Sequence, residues 1–194
     1  MSRILVAFAS THGQTRKIGD VIAAELRAAG HVVELAAALA GPPPPVQDYD
    51  VVVLGSRIRY SRHAPEIVRY ITANRAELDT IPSYFFSVSM TAAGSQSHDP
   101  AGYLERLFTA TRWRPRGAVA FGGGLAYRQY GPVLRVVMKL FSRMGGHPTD
   151  ARRDHDCTDW SQVRRFAARI AADLGSPTAR DAPPDLLAPR SARP

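Results

Sequence analysis

Ser10-Thr11-His12-Gly13-Gln14-Thr15 joins an apolar run to a helical pattern, and this junction decides the fold. The preceding residues, 4–9, are all apolar, as expected of a short strand that is buried on both faces in the centre of a parallel sheet. The apolar residues that follow the junction recur at helical spacing, and Gly30 ends their pattern. The sequence therefore predicts a strand, a polar turn and a helix in direct succession.

The polar turn has the chemistry of an anion-binding site. Backbone N–H groups at the start of a helix have no partner within it, and the positive end of the helix dipole points into the turn. Ser10, Thr11 and Thr15 add hydroxyl donors, and Gly13 allows the backbone to approach a phosphate closely. The turn has neither the Gly-Lys-Ser/Thr of a Walker loop nor the repeated glycines of a dinucleotide-binding turn. From this motif alone, an ordinary capped turn between a strand and a helix is the alternative.

The rest of the chain repeats the same order of elements. Four further apolar runs predict strands, at residues 32–35, 51–55, 84–88 and 118–121. Later helical patterns lie at 65–78, 101–111 and 161–174. Five strands that alternate with helices predict an α/β fold, a doubly wound parallel sheet. Such a sheet binds its ligand at the carboxyl ends of the strands, near a switch point in the strand order.

The turn at residues 10–15 resembles the phosphate loop of flavodoxins, Ser/Thr-x-Thr-Gly-x-Thr. His12 stands where that pattern has its central threonine. The resemblance implies a flavodoxin-like sheet with the strand order 2-1-3-4-5. It also implies an FMN cofactor whose terminal phosphate is held by Ser10, Thr11, His12, Gly13, Gln14 and Thr15.

Two further loops at predicted strand ends suit the same ligand. Ser56-Arg57-Ile58-Arg59-Tyr60 follows the third strand. In it, Tyr60 can stack on a flat ring, and the arginines can pair with carboxylates or phosphates. The fourth strand runs into Ser89-Met90-Thr91-Ala92, which is small and polar and suits hydrogen bonds to a flavin edge. Because all three loops fall at strand carboxyl ends, we predict that they build one FMN site.

Composition limits the class of protein. The 194 residues predict one domain, which we place at 1–174. The net charge of +8 comes almost entirely from arginine, and no basic segment is interleaved with aromatic residues, so we expect no nucleic-acid partner. A single cysteine excludes an internal disulfide, and no Cys/His cluster has the spacing of a metal site. No apolar run has the length of a membrane span or the form of a signal peptide, so we expect a cytoplasmic protein.

Two segments exceed what a minimal doubly wound domain needs. Residues 175–194 are rich in Pro, Ala and Arg and lack periodicity, which predicts a disordered tail. Residues 124–146 form an insertion after the fifth strand, in which Arg135, Lys139 and Arg143 recur every fourth residue among apolar residues. A helix with this pattern either packs over the sheet edge or, through residues 130–144, contacts the inner-membrane surface.

A series of short motifs narrows the resemblance. In chain order they are Gly13-Gln14-Thr15, Ser56-Arg57-Ile58-Arg59-Tyr60, Phe86-Ser87-Val88, Trp113-Arg114-Pro115, Met138-Lys139-Leu140, Gly145-Gly146, Thr149-Asp150 and Thr158-Asp159-Trp160. Together they resemble the flavodoxin-type, menaquinone-dependent protoporphyrinogen IX dehydrogenases of bacteria, over residues 3–174. This resemblance implies FMN-dependent oxidation of protoporphyrinogen IX in heme biosynthesis, with a membrane quinone as electron acceptor. Arg57, Arg59 and Arg128 are candidate partners for the two propionates of that substrate.

Three alternative functions stay open. The first is a flavodoxin-type electron carrier, although such carriers are usually acidic. The others are an NAD(P)H-dependent quinone or FMN reductase, and a domain that binds no flavin. The catalytic residues also stay open, because His12 and His63 are the only candidate acids or bases near the three loops. We expect His12 to serve the phosphate and His63 to cap a helix.

Overall fold

A computed structural model describes residues 1–89, 100–123, 158–175 and 185–187. The strands in these ranges are β1 (Arg3–Ala9), β2 (Val32–Ala37), β3 (Val51–Arg59), β4 (Arg62–His63), β5 (Ser83–Ser89), β6 (Gly117–Gly122) and β7 (Asp185–Leu187). The α-helices in these ranges are α1 (Gln14–Ala28), α2 (Pro65–Ala73), α3 (Arg75–Thr80), α4 (Pro100–Thr111) and α5 (Trp160–Gly175). A 3-10 turn at Val46–Asp48 follows the proline-rich connector.

The sheet has the strand order β2-β1-β3-β5-β6-β7, and all of these neighbours are parallel. The short strand β4 pairs only with β3 and lies off this path, so β5 and β6 correspond to the fourth and fifth predicted strands. The first five strands along the path therefore have the predicted order 2-1-3-4-5, and the doubly wound, flavodoxin-like fold is confirmed. Chain order reverses between β1 and β3, which are neighbours although β2 lies between them in sequence. The carboxyl ends of these two strands therefore border the crevice in which such folds bind ligands.

Two apolar layers enclose the sheet. Alternate strand residues such as Val6 and Val53 belong to a buried cluster with the apolar faces of α1 and α5. The intervening residues, such as Leu5 and Leu54, belong to a second cluster with α2, α3, α4 and Trp113. Because both faces of β1 and β3 are covered, their sequences are continuously apolar instead of alternating.

The third strand and the helix after it differ from the prediction. β3 continues past Gly55 to Arg59, and β4 then pairs with it in an antiparallel hairpin, so the predicted open loop is ordered by ladder hydrogen bonds. The helix predicted at 65–78 is divided into α2 and α3. Asn74 lies between them, where its Nδ2 donates to the carbonyl of Tyr70 at 2.8 Å and occupies an acceptor at the end of α2.

Part of the predicted tail belongs to the sheet. Asp185–Leu187 pairs in parallel with β6 from Gly117 to Val119. The prediction of a disordered segment over 175–194 is therefore wrong for these three residues, because an open sheet edge supplies hydrogen-bond partners that composition cannot reveal. The rest of 176–194, and the insertion predicted at 124–146, lie outside the described residues. In the described ranges, no helix combines the length and apolarity that crossing a bilayer requires.

Candidate functional site

The strand ends at the switch point bring the starts of the three predicted loops together. Ala9, the last residue of β1, is paired with Ser56 of β3, so the polar turn that follows β1 begins beside Arg57. On the other side of β3, Arg57 is paired with the residue that precedes Ser89. The structure therefore places Ser10, Arg57 and Ser89 at one edge of the sheet, where ligands of this fold class bind.

The anion turn, residues 10–15, leaves the start of α1 open. Gly13 precedes the helix with φ +85°, in the left-handed region that favours glycine, and no side chain caps the helix. The N–H of Lys17 donates to the carbonyl of Gly13 at 2.9 Å, so the N–H groups of Thr15 and Arg16, which come before it, have no partner within the helix. A Cβ added at Gly13 would have no atom within 4 Å. Open space at the positive end of a helix, next to backbone N–H groups that have no partner within that helix, fits a phosphate.

The side chains of the anion turn differ in their surroundings. Thr15 is buried, whereas Thr11 and His12 are exposed. Ser10 Oγ is buried and has no hydrogen-bond partner among the described residues. A buried hydroxyl without a partner costs about 1–3 kcal/mol. An anion bound in the turn would accept its hydrogen bond and remove that cost, so Ser10 is the specific feature that fits the turn to a phosphate ligand.

A hydrogen-bonded bridge that the sequence did not reveal connects the anion turn to α5. Gln14 Nε2 donates to Thr158 Oγ1 at 2.7 Å, and that hydroxyl donates to the carbonyl of Gly122 at 2.8 Å. The bridge links the start of α1 to the carboxyl end of β6 and to the residues before α5. Thr158 and Gln14 are 144 positions apart, so only the packing of α5 beside α1 could reveal the contact.

The hairpin of β3 and β4 is fixed at its base by Ser56. Its Oγ accepts the N–H of Ala64 at 3.0 Å and donates to the carbonyl of Arg57 at 3.1 Å, and the residue is fully buried. The hydroxyl of Ser56 therefore holds the hairpin together. At the tip, Tyr60 and Ser61 have φ values of +49° and +60°, and two adjacent positive values are what a type I′ turn requires.

Arg57 and Glu66 form a mostly buried charged pair beside the anion turn. Arg57 Nη1 and Glu66 Oε2 are 3.9 Å apart, which is ion-pair distance but too long for a hydrogen bond. Arg57 Nε, Arg57 Nη1 and Glu66 Oε2 are all buried without a hydrogen-bond partner among the described residues. The pair neutralises the charge of the guanidinium and leaves two of its donors available at the strand ends.

The other predicted site residues have these positions. Ile58 is partly buried and paired with His63, whereas Arg59 and Tyr60 are exposed, and 84% of Tyr60 is accessible. Ser89 is buried at the end of β5, and its carbonyl accepts the N–H of Gly123 at 2.9 Å. In the described ranges, no three His, Cys, Asp or Glu side chains cluster as metal ligands would. Of the residues singled out from sequence for the cofactor or the substrate, Met90, Thr91, Ala92 and Arg128 lie outside the described ranges.

His63 lies in β4 and does not cap α2, which was the expectation from sequence. The helix begins at Pro65, after Ala64, without a side-chain cap. The His63 ring packs edge-on against Phe85 with the ring centroids 5.3 Å apart, and Nε2 donates to the carbonyl of Tyr103 at 3.2 Å. Burial lowers the pKa of His63 to about 4, so its ring is neutral at pH 7. His63 therefore anchors the hairpin to α4.

Replacing His63 by glutamine is expected to make the protein less sensitive to acid. In the parent, His63 stays neutral in the folded state down to about pH 4, whereas the unfolded chain takes up a proton near pH 6.5. The unfolded state thus binds more protons between these values, so the free energy of unfolding falls as the pH falls from 6.5 to 4. The loss reaches about 3 kcal/mol.

Glutamine can still donate a hydrogen bond to the Tyr103 carbonyl, but it does not titrate. Urea unfolding of the parent and His63→Gln at pH 7 and pH 4.5 measures the difference. An equal loss of stability in both proteins would contradict the lowered pKa of His63.

Comparison with known proteins agrees with the fold. A family model described as a flavodoxin domain matches residues 5–152. A flavodoxin from Pseudomonas aeruginosa superposes with a TM-score of 0.56 at 10% identity, covering 90% of this chain and 99% of that one. Flavodoxin 1 from Bacillus cereus gives 0.52 at 16% identity, covering 88% and 98%. The chain is therefore a flavodoxin-domain protein.

Two curated relatives narrow the class. The protoporphyrinogen IX dehydrogenase (quinone) of Escherichia coli K12 is 32% identical over 178 residues, which cover 91% of this chain and 98% of that protein. The Leishmania major protein of the same name is 31% identical over 173 residues, covering 88% and 75%. This chain belongs to the protoporphyrinogen IX dehydrogenase (quinone) family.

Proposed function

We propose that this protein is an FMN-dependent oxidoreductase that converts protoporphyrinogen IX to protoporphyrin IX with a quinone as electron acceptor. The proposal depends chiefly on the 32% identity that extends over 98% of a relative named for this activity. The buried Ser10 hydroxyl, which has no hydrogen-bond partner among the described residues and lies at an uncapped helix start, supports the binding of FMN. The phosphate of FMN would accept the hydrogen bond of this hydroxyl. In this reaction, the substrate loses its electrons and hydrogen atoms in pairs, and each pair finally reduces one quinone molecule.

Bound FMN supplies the electron transfer, and the protein supplies position and electrostatics. The anion turn would hold the terminal phosphate, to which Ser10 Oγ and the N–H groups of Thr15 and Arg16 at the start of α1 would donate. The unpartnered Arg57 donors lie beside this turn and offer hydrogen bonds to acceptors of the ring system. Tyr60 presents an accessible aromatic face on which a flat ring can stack. On the other side of β3, the segment from Ser89 to Ala92 completes the proposed flavin site.

The function is tested with protein purified under air-free conditions. The parent should be yellow, release FMN on denaturation, and convert protoporphyrinogen IX to fluorescent protoporphyrin IX when a menaquinone analogue is supplied. Flavin reduction by NADH or NADPH, without porphyrinogen oxidation, would identify a nicotinamide-dependent reductase instead. A colourless protein that binds no added FMN would rule out the flavin-dependent function altogether.

We further propose that residues 130–144 bring the protein to an anionic membrane surface. Arg135, Lys139 and Arg143 recur every fourth residue in this segment, and each basic residue near such a surface contributes roughly 1 kcal/mol. Reversing all three charges to glutamate should release the protein from anionic vesicles and leave FMN binding unchanged. Co-sedimentation at low and high salt measures this. Equal vesicle binding by parent and variant would favour the alternative, in which the segment packs on its own domain.

A further inference from the structure

Two arginines face each other on the hairpin beside the proposed flavin site. Arg59 of β3 and Arg62 of β4 are directly paired across the two-residue turn. Side chains of directly opposed residues lie on the same face of a hairpin, with Cβ atoms about 5 Å apart. Two positive charges at this separation repel each other and destabilise the hairpin. An anion that lies between the two guanidinium groups would remove this repulsion.

Neither arginine has a carboxylate partner among the described residues. Six other arginines of the described ranges form ion pairs with Asp or Glu, whereas Arg59 and Arg62 form none. Both side chains are exposed. The Cζ of Arg59 lies 5.0 Å from the centroid of the Tyr60 ring, and its Nη2 donates to the Tyr60 hydroxyl at 3.4 Å. The guanidinium groups thus have donors to spare for a ligand that carries carboxylates.

The opposite face of the hairpin is held by the domain. Ile58 and His63 form the neighbouring cross-strand pair, so they lie on the face opposite Arg59 and Arg62. On that face, His63 packs on Phe85 and donates to the carbonyl of Tyr103. Tyr103 OH also donates to Ser61 Oγ at the hairpin tip, at 3.4 Å. These contacts fix the hairpin to α4 and keep the two arginines on its outward face.

Tyr60 adds an accessible flat surface next to the two charges. It is 84% exposed, although the turn that carries it has positive φ at two residues other than glycine. Such backbone conformations cost of order 1–3 kcal/mol each, and they cluster at ligand-binding sites. An aromatic face beside two unpaired guanidinium groups is complementary to a flat molecule that carries two carboxylates.

We propose that Arg59 and Arg62 form a clamp for the two propionates of the tetrapyrrole substrate. This inference rests on the proposed function, and it adds Arg62, which the sequence did not single out, as a specificity-determining residue. The clamp discriminates the diacid from its uncharged esters because each carboxylate accepts charge-assisted hydrogen bonds from a guanidinium. It contributes substrate affinity and orientation, and it takes no part in electron transfer.

The test compares protoporphyrin IX with its dimethyl ester as probes. Both are stable in air, and their binding to the FMN-loaded protein can be followed by fluorescence. The double variant Arg59→Gln/Arg62→Gln should bind the diacid roughly 10- to 100-fold more weakly, since it loses two charge-assisted contacts. Its affinity for the dimethyl ester should stay within a few-fold of the parent's. Each single variant should lose part of the discrimination.

Arg164→Gln/Arg165→Gln serves as the matched control. It also removes two positive charges, but from α5, where Arg164 forms an exposed ion pair with Glu25 and Arg165 forms one with Asp159. This control should bind both probes as the parent does, which separates the clamp from a general effect of net charge. The clamp double variant should also be at least as stable as the parent to urea, because the repulsion between the two arginines is removed.

Equal losses for the diacid and the ester, or no loss for either, would overturn the clamp. A loss for the diacid that the α5 control reproduces would overturn it as well, since charge alone would then explain the effect. The proposed function is tested by a separate assay, and it fails if the parent protein does not oxidise protoporphyrinogen IX with a quinone. The binding comparison still decides the clamp in that case.

Discussion

Replacing Gly13 by valine is expected to abolish retention of FMN. The residue has φ +85°, which valine adopts only under strain, and its Cβ would project into the open space at the start of α1. That space is where the proposed phosphate accepts hydrogen bonds from Ser10 and the backbone. Losing two such charge-assisted bonds, at about 1.5–3 kcal/mol each, weakens FMN binding by about 100-fold or more. Flavin content after purification and titration of the apoprotein with FMN measure the effect.

Gly30→Val is the matched control for this variant. Gly30 has φ +88° and likewise has no atom within 4 Å of an added Cβ, so valine is equally strained there and meets equally open space. It lies between α1 and β2, at the opposite edge of the sheet from the anion turn. Both variants should lose similar stability, but only Gly13→Val should lose flavin. A full complement of FMN in Gly13→Val would show that the phosphate binds elsewhere.

Trp113→Ala is expected to lower the free energy of unfolding by about 3–5 kcal/mol. The indole is fully buried and packs edge-on against Phe85 and Phe108, with ring centroids 6.0 and 6.1 Å away. Its Nε1 also donates to Ser83 Oγ at 3.2 Å, and this buried hydroxyl would lose a partner. Alanine therefore leaves a large cavity and removes one of the two hydrogen bonds of Ser83 Oγ, which still donates to the carbonyl of Leu78 at 3.3 Å. Urea unfolding measures the loss.

Trp113→Phe separates the two contributions. Phenylalanine keeps most of the aromatic packing but cannot donate a hydrogen bond, so it should cost less than half of what alanine costs. The affinity of the folded variants for FMN should stay close to that of the parent, because the helix that follows the anion turn, α1, packs in the other apolar layer. A stability loss below about 1 kcal/mol for alanine would contradict the packing observed around Trp113.

The sequence predicted the elements whose signals are local. Continuous apolar runs identified β1 and β3, since strands covered on both faces have no reason to alternate. The polar turn and Gly13 marked the start of α1, because left-handed backbone and unpaired N–H groups require particular residue types there. The alternation of elements then predicted a doubly wound parallel sheet and the end of that sheet at which the site lies, whereas the strand order came from the resemblance to flavodoxins.

The features that sequence could not predict depend on contacts between distant segments. The turn at Tyr60 and Ser61 has positive φ without glycine, so the usual signal of a hairpin is absent. The burial of His63 depends on Phe85 and Tyr103, which come from other elements. Ser56 was predicted only as part of a loop at the FMN site; its role in holding the hairpin could not be predicted, because it depends on β4 returning to β3 and placing the Ala64 N–H within reach of the Ser56 hydroxyl.

The pairing of β7 with β6 has a consequence for how the chain folds as it is synthesised. Strands β1 to β6 can assemble in the order in which they emerge, since each pairs with a strand that has already been made. β6, however, exposes its outer edge until Asp185–Leu187 arrives, after α5 has formed. A parallel strand added late has a high sequence separation from its partner, and such pairings form slowly. During this interval, the edge of β6 is a template for pairing with other nascent chains.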